Sequence, residues 1–262
     1  MIWRRQKSRL ILGLLISTPR CNIPLVNRAI ILYSTKKRSY AEADSKVQRH
    51  FACHTYDVNK IGDQNQDLHG NVPDTCNTAL LLVDVLNDLE FPGGQPLVRA
   101  APRLARNISA LKRRCREAKV PAIYVNDNRN RWRSDASVIV NHCLGDNVPG
   151  RLLVKNLIPA PDDYIVLKPK HSAFFSTPLE TLLLHLHTKS IILVGLTTDA
   201  CILTTACEIH IRDLNLYVPS DCVAASSRKL HKMALELMKK SFRARVTASR
   251  QLNLKRLLSR GN

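Results

Sequence analysis

The stretch "SIILVGLTTDACILTTACEIHIRD", residues 190–213, decides the fold of this chain. Its first six residues are apolar and β-rich, too short for a helix and bounded by glycine, which is the pattern of a strand buried on both faces. A turn of threonine and aspartate follows, and then a helix in which Cys201 comes early and Cys207 six residues later. A strand passing into a helix is one half of a parallel β–α–β unit, so the search moves outward for repeats of it.

They recur along the chain. "TALLLVDVLND" (78–88) predicts a buried strand ending in acid and amide groups, and "FPGG" (91–94) is turn chemistry. Leu104, Ile108, Leu111, Cys115 and Ala118 recur at helical spacing with basic residues between them. "PAIYVN" (121–126) and "YIVLK" (164–168) read as the second and third strands, "SIILVG" as the fourth, "LNLYV" (214–218) as the fifth and "RVTAS" (245–249) as the sixth. In "STPLETLLLHLHT", Thr177 is expected to cap a helix, with Pro178 in its first position and Glu180 completing a capping box. Leu230, Met233, Ala234, Leu237 and Met238 form a last helical stripe. The expected fold is α/β: three Rossmann-like α/β/α layers around a mostly parallel six-stranded sheet.

The net charge of +19 is not spread evenly. Residues 1–41 hold nine Lys/Arg and no acid, and residues 228–262 hold eleven against Glu236 alone, which leaves 42–227 close to neutral. A neutral centre argues against a nucleic-acid-binding surface. The eight cysteines form no C-x-x-C and no zinc-finger spacing, so they read as reduced thiols and no structural metal is expected. The apolar run Leu10–Ile16 is too short to span a bilayer. Residues 1–72 are expected to be a basic extension, either without an address or an organelle (mitochondrial) transit peptide, and the alternative locations are accordingly cytoplasm and organelle. Residues 73–250 form the expected domain and 251–262 a basic tail.

Active sites in parallel α/β sheets gather at the carboxyl ends of the strands. Asp84 ends the first strand, Lys168 the third, and Cys201 follows the fourth, with Thr198 or Asp199 as the expected cap of its helix. Singly, each has an ordinary explanation as a turn former, a solvated lysine or a packed thiol. Together at one sheet edge they suit nucleophilic catalysis. A helix N-terminus and an ammonium favour thiolate, a carboxylate can take the thiol proton and return it, and backbone N–H groups can hold an oxyanion. Cys207 lies about 240° further round the helix, where it is expected to pack in the core.

The blocks "ALLLVDVLND" (79–88), "LKPKHSAFFSTPLE" (167–180) and "ILVGLTTDACILTTA" (192–206) resemble the signatures of the isochorismatase-like cysteine hydrolase family, and the resemblance runs over roughly residues 76–250. It implies Asp84 as acid/base, Lys168 rather than Lys170 as the catalytic lysine, and Cys201 as nucleophile. It also implies a cis peptide before Thr197, whose N–H joins that of Cys201 in the oxyanion hole. Members cleave amide or carbamoyl C–N bonds through a thioester, whereas the branch acting on isochorismate lacks the cysteine. The nicotinamidases carry an Asp-x-His metal loop. Here only His142 lies between Asp84 and Lys168, and "NDNRNRWRSD" (126–135) replaces that loop, so neither metal nor cofactor is expected.

Asn128, Arg131 and Trp132 of this loop are candidate substrate contacts, Arg131 for a carboxylate; the other reading is a polar surface loop with an anchored Trp. Phe174 and Phe175 either line the pocket or anchor their own loop. The expected activity is a metal-independent cysteine amidohydrolase acting on a small amide, carbamoyl or ureido compound. The alternative is an inactive binding or scaffold protein of the same fold. The resemblance further implies a homo-oligomer.

Overall fold

A computed structural model describes residues 75–128 and 135–259 of the chain. The extension at 1–72, Arg131 and Trp132 lie outside the described residues.

The first strand, β1 (Thr78–Val83), is buried along its whole length. Side chains alternate across a strand, so Leu80 and Leu82 join one apolar cluster while Ala79, Leu81 and Val83 join another on the opposite face. Each fully buried aliphatic side chain stabilises the fold by about 1.5–3 kcal/mol. The remaining elements follow in the expected alternation: α1 (Gln95–Glu117), β2 (Ala122–Asp127), α2 (Ala136–Cys143), α3 (Arg151–Lys155), β3 (Tyr164–Lys168), α4 (Leu179–His185), β4 (Ser190–Leu196), α5 (Cys201–Ile211), β5 (Asn215–Pro219), β6 (Val223–Ala224), α6 (Arg228–Ser241), β7 (Arg245–Thr247) and α7 (Leu254–Leu258). Helix α1 starts earlier than its stripe does, directly after Gly94, with Pro96 in the first turn where its missing N–H costs nothing.

Among the described residues the six expected strands make one sheet in the order β3-β2-β1-β4-β5-β7, and every pairing is parallel. The two-residue β6 adds a seventh strand beside the end of β4, too short to leave a periodic signal in the sequence. The cluster containing Leu80 and Leu82 packs under α1 and α7, and the cluster containing Leu81 and Val83 packs under α4, α5 and α6. This is the three-layer α/β/α fold expected from the strand and helix order.

Four local expectations are corrected. Residues 251–258 are not a free basic tail: Leu252, Leu254 and Leu257 are buried between the charged residues, and Asn77 Nδ2 donates to Leu258 O at 2.7 Å. The capping box at α4 is absent, because Glu180 reaches outward to Arg212 (3.1 Å) while Thr177 Oγ1 accepts only from Leu179 N–H (3.3 Å). In the last stripe Ala234 and Met238 are buried, whereas Leu230, Met233 and Leu237 stay exposed. Cys207 is half-buried, since α5 turns Ile202, Thr205, Ala206 and Ile209 inward and leaves Cys207 on the flank of that stripe.

Candidate active site

The register brings the strand ends together. Val83 faces Gly195 across β1 and β4, and Val125 and Asp127 of β2 lie beside Val83 and Lys168 respectively. Gly195 has φ +120°, and a Cβ there would stand 1.9 Å from Val83 O, so only glycine lets the two strands approach at this point. Just past β1, Asp84 takes φ +52°, a left-handed conformation that Asp tolerates better than most residues. Its N–H donates to Val125 O (3.0 Å), and its Oδ1 accepts the N–H of Asp127 (2.7 Å). The following loop is pinned by Asn126, which accepts from Leu86 N–H and donates to Leu86 O, both at 3.0 Å.

Lys168 ends β3 with no exposed surface at all. Its ammonium lies 2.9 Å from Asp84 Oδ2 and 3.8 Å from Asp127 Oδ2, and donates to Lys170 O at 3.1 Å and to Cys201 Sγ at 3.5 Å. Lys170 itself is exposed. The loop after β3 is tied to the cysteine's helix, because Ala173 N–H donates to Thr205 Oγ1 (3.1 Å) and Ser172 Oγ accepts from Phe174 N–H (3.0 Å). Cys201 occupies the first position of α5, whose cap is Ala200 rather than Thr198 or Asp199. Thr198 is fully buried and its hydroxyl pairs instead with His231 Nδ1 at 2.9 Å. The Leu196–Thr197 peptide is cis, as the resemblance implies.

Asp84, Thr197 and Cys201 line one cavity of about 600 Å³, together with Asn87, Asp88, Glu90, Phe91, Asp127 and His171. Burial, followed by the Asp84 charge, pushes the Cys201 thiol up to about 12, and the Lys168 ammonium only partly offsets this. Burial thus favours the neutral thiol at Cys201, while the Lys168 ammonium favours the charged form. Burial also raises the Asp84 carboxyl, against the pull of Lys168 and of its hydrogen bonds to Cys201 and Asp127. For Lys168, burial works against the ammonium, but Asp84, Cys201 and Asp127 outweigh it and its pKa is raised. The site thus joins a buried cation, a carboxyl of raised basicity and a thiol in mutual contact, as general acid–base attack on a carbonyl requires.

The other candidates fall elsewhere. Phe174 is buried in the core beneath the Arg212 guanidinium, 4.2 Å from its ring, and does not line this cavity; Phe175 is exposed. Asn128 is buried just beyond β2, its N–H bonded to Lys168 O (3.0 Å), and it too is absent from the cavity wall. Two neighbours of the catalytic groups escaped the sequence reading. Asp127 obeys the same strand-end rule that singles out Asp84 and Lys168. His171, in "KPKH", stands with Nδ1 3.4 Å from Cys201 Sγ. In addition, Asp88, Glu90 and His142 hold their potential ligand atoms within 4.8 Å of one another, with His142 Nε2 3.0 Å from Asp88 Oδ2.

A family model described as the isochorismatase domain matches residues 78–251. The uncharacterized isochorismatase family protein YaaI of Bacillus subtilis is 33% identical over 177 residues, 68% of this chain and 97% of its own length. Among solved structures, a cysteine hydrolase from Pseudomonas syringae superposes with a TM-score of 0.56 at 24% identity, over 71% of this chain and 94% of its own. The N-carbamoylsarcosine amidase of Thermoplasma acidophilum does so with a TM-score of 0.53 at 22% identity, over 68% and 99%.

Proposed function

The chain belongs to the isochorismatase family of hydrolases, and from that premise we propose that it is a metal-independent cysteine amidohydrolase cleaving the C–N bond of a small amide, carbamoyl or ureido compound. The observation that carries this reading is the contact of Asp84, Lys168 and Cys201 at one end of a cavity of about 600 Å³, a size suited to a small molecule. Asp84 accepts the Cys201 proton as Sγ bonds to the carbonyl carbon, and the oxygen's electron pair is held by the N–H groups of Thr197 and Cys201. When the tetrahedral adduct collapses, the C–N bond breaks and Asp84 returns its proton to the leaving nitrogen, leaving a thioester. Water then adds with Asp84 again as base, the C–S bond breaks, and the thiol regains its proton as the acid product leaves. Lys168 stays charged throughout and steadies whichever neighbour, carboxylate or thiolate, is negative.

The test is ammonia release from a panel of primary amides, carbamoyl amino acids and ureido acids by the wild-type protein and by Cys201→Ala. Turnover by wild type that falls by at least about 10³-fold in the variant is expected. Equal turnover by both would remove Cys201 from the chemistry. An inactive wild type whose Cys201 also reacts no faster than Cys207 with a mild alkylator would favour the noncatalytic reading.

A further inference from the structure

The Cys201 sulfur has a third neighbour besides Asp84 and Lys168. His171 lies three residues beyond Lys168, on the loop that hydrogen bonds to α5, and its Nδ1 stands 3.4 Å from Sγ. Its ring is exposed to solvent and lines the cavity, whereas Lys168 is sealed beneath it. Sγ is thus approached from below by an ammonium at 3.5 Å and from the open side by an imidazole.

We propose that His171 is a fourth catalytic group, donating its Nδ1–H to the Cys201 sulfur once Asp84 has taken the thiol proton. This rests on the reading of Cys201 as nucleophile. The proton balance is unchanged: Asp84 carries the transferred proton, and His171 keeps its own while stabilising the negative sulfur. Burial opposes a charged sulfur here, and the carboxylate of Asp84 adds to the opposition. The Lys168 ammonium that donates to the sulfur is shared with Asp84 and Asp127. A second donor is therefore placed where one is short. A hydrogen bond donated to the charged form of a thiol favours that form and lowers its pKa. When the amine leaves and the sulfur departs from the thioester, the same N–H meets the same developing charge.

The experiment follows alkylation of Cys201 by iodoacetamide, a neutral probe, across about pH 5.5 to 9 in wild type, His171→Gln and His171→Phe, with peptide mass mapping and Cys207 as the internal reference. Because the ring is exposed, both variants are expected to fold, and urea midpoints check it. Wild-type Cys201 is expected to react about tenfold faster than in His171→Phe, which has no donor to offer the sulfur. His171→Gln, which keeps a donor, should recover most of the difference. Superimposable profiles for all three would overturn the assignment while leaving Cys201 the nucleophile. Equal slowing in His171→Gln and His171→Phe would make His171 a matter of shape alone, which also overturns it. Wild-type Cys201 that does not react anywhere in this range would overturn both this assignment and the proposed function.

Discussion

Replacing Lys168 by methionine keeps its unbranched stem to within one atom and removes its charge. The ammonium is fully buried, 2.9 Å from a carboxylate oxygen that is itself nearly so. At an effective dielectric of about 20, two unit charges at that spacing attract by about 6 kcal/mol. Methionine also spares the desolvation of an ammonium, so the net cost of orphaning Asp84 is about 3–5 kcal/mol. That cost depends on pH. Burial raises the Asp84 carboxyl and Lys168 is the largest opposing influence, so in the variant the carboxyl rises further. A carboxyl whose folded pKa is raised leaves stability intact in acid and withdraws it as pH rises through the folded value. The deficit of Lys168→Met relative to wild type should therefore be small at about pH 5 and full at about pH 8, measured by urea denaturation followed by circular dichroism. Removing the carboxylate charge as well, in Asp84→Asn/Lys168→Met, should recover most of the loss. Equal deficits at both pH values, or a double variant whose loss is the plain sum of the singles, would refute the argument.

Gly195→Ala places a Cβ 1.9 Å from Val83 O at φ +120°; it is expected to destabilise the fold by more than about 3 kcal/mol, and an unchanged urea midpoint would contradict the close approach of β1 and β4. Phe174→Ala should cost about 3–5 kcal/mol while leaving KM unchanged in the folded enzyme, whereas a raised KM at unaltered stability would return Phe174 to the pocket. Dialysis against EDTA should leave turnover intact. Loss of activity, restored by a divalent cation and abolished in His142→Ala, would instead assign a metal role to Asp88, Glu90 and His142.

The sheet was legible because its strands are buried on both faces, so runs such as "ALLLV" and "SIILV" stand out against the basic helices. Asp84, Lys168 and Cys201 were legible because parallel topology leaves strand ends on one edge. What escaped depends on side-chain direction, which no periodicity encodes. His171 reaches Sγ only through the path of its loop. Glu180 turns outward to Arg212 instead of back to its own helix, and Phe174 goes down into the core while Phe175 stays out. Residues 251–258 misled for another reason: buried leucines alternate there with charges, and the composition of a short helix hides its inner face. The cis bond before Thr197 came from resemblance alone, since a non-proline cis peptide has no sequence signal of its own.

Lys168 stands on the outermost strand of the described sheet, and its carboxylate partner stands beyond the end of β1, with β2 between them. Neighbouring strands lie about 4.8 Å apart, so the side chain reaches beneath one whole strand to its partner. An edge strand is ordinarily the first part of a sheet to fray, opening at little cost while the interior holds. Here the last residue of the edge is fastened two strands inward, and β2 is caught between the fastening points. The carboxyl end of the edge strand is thereby braced to the interior, and the ion pair in contact with the Cys201 thiol also keeps the floor beneath it from opening on its own.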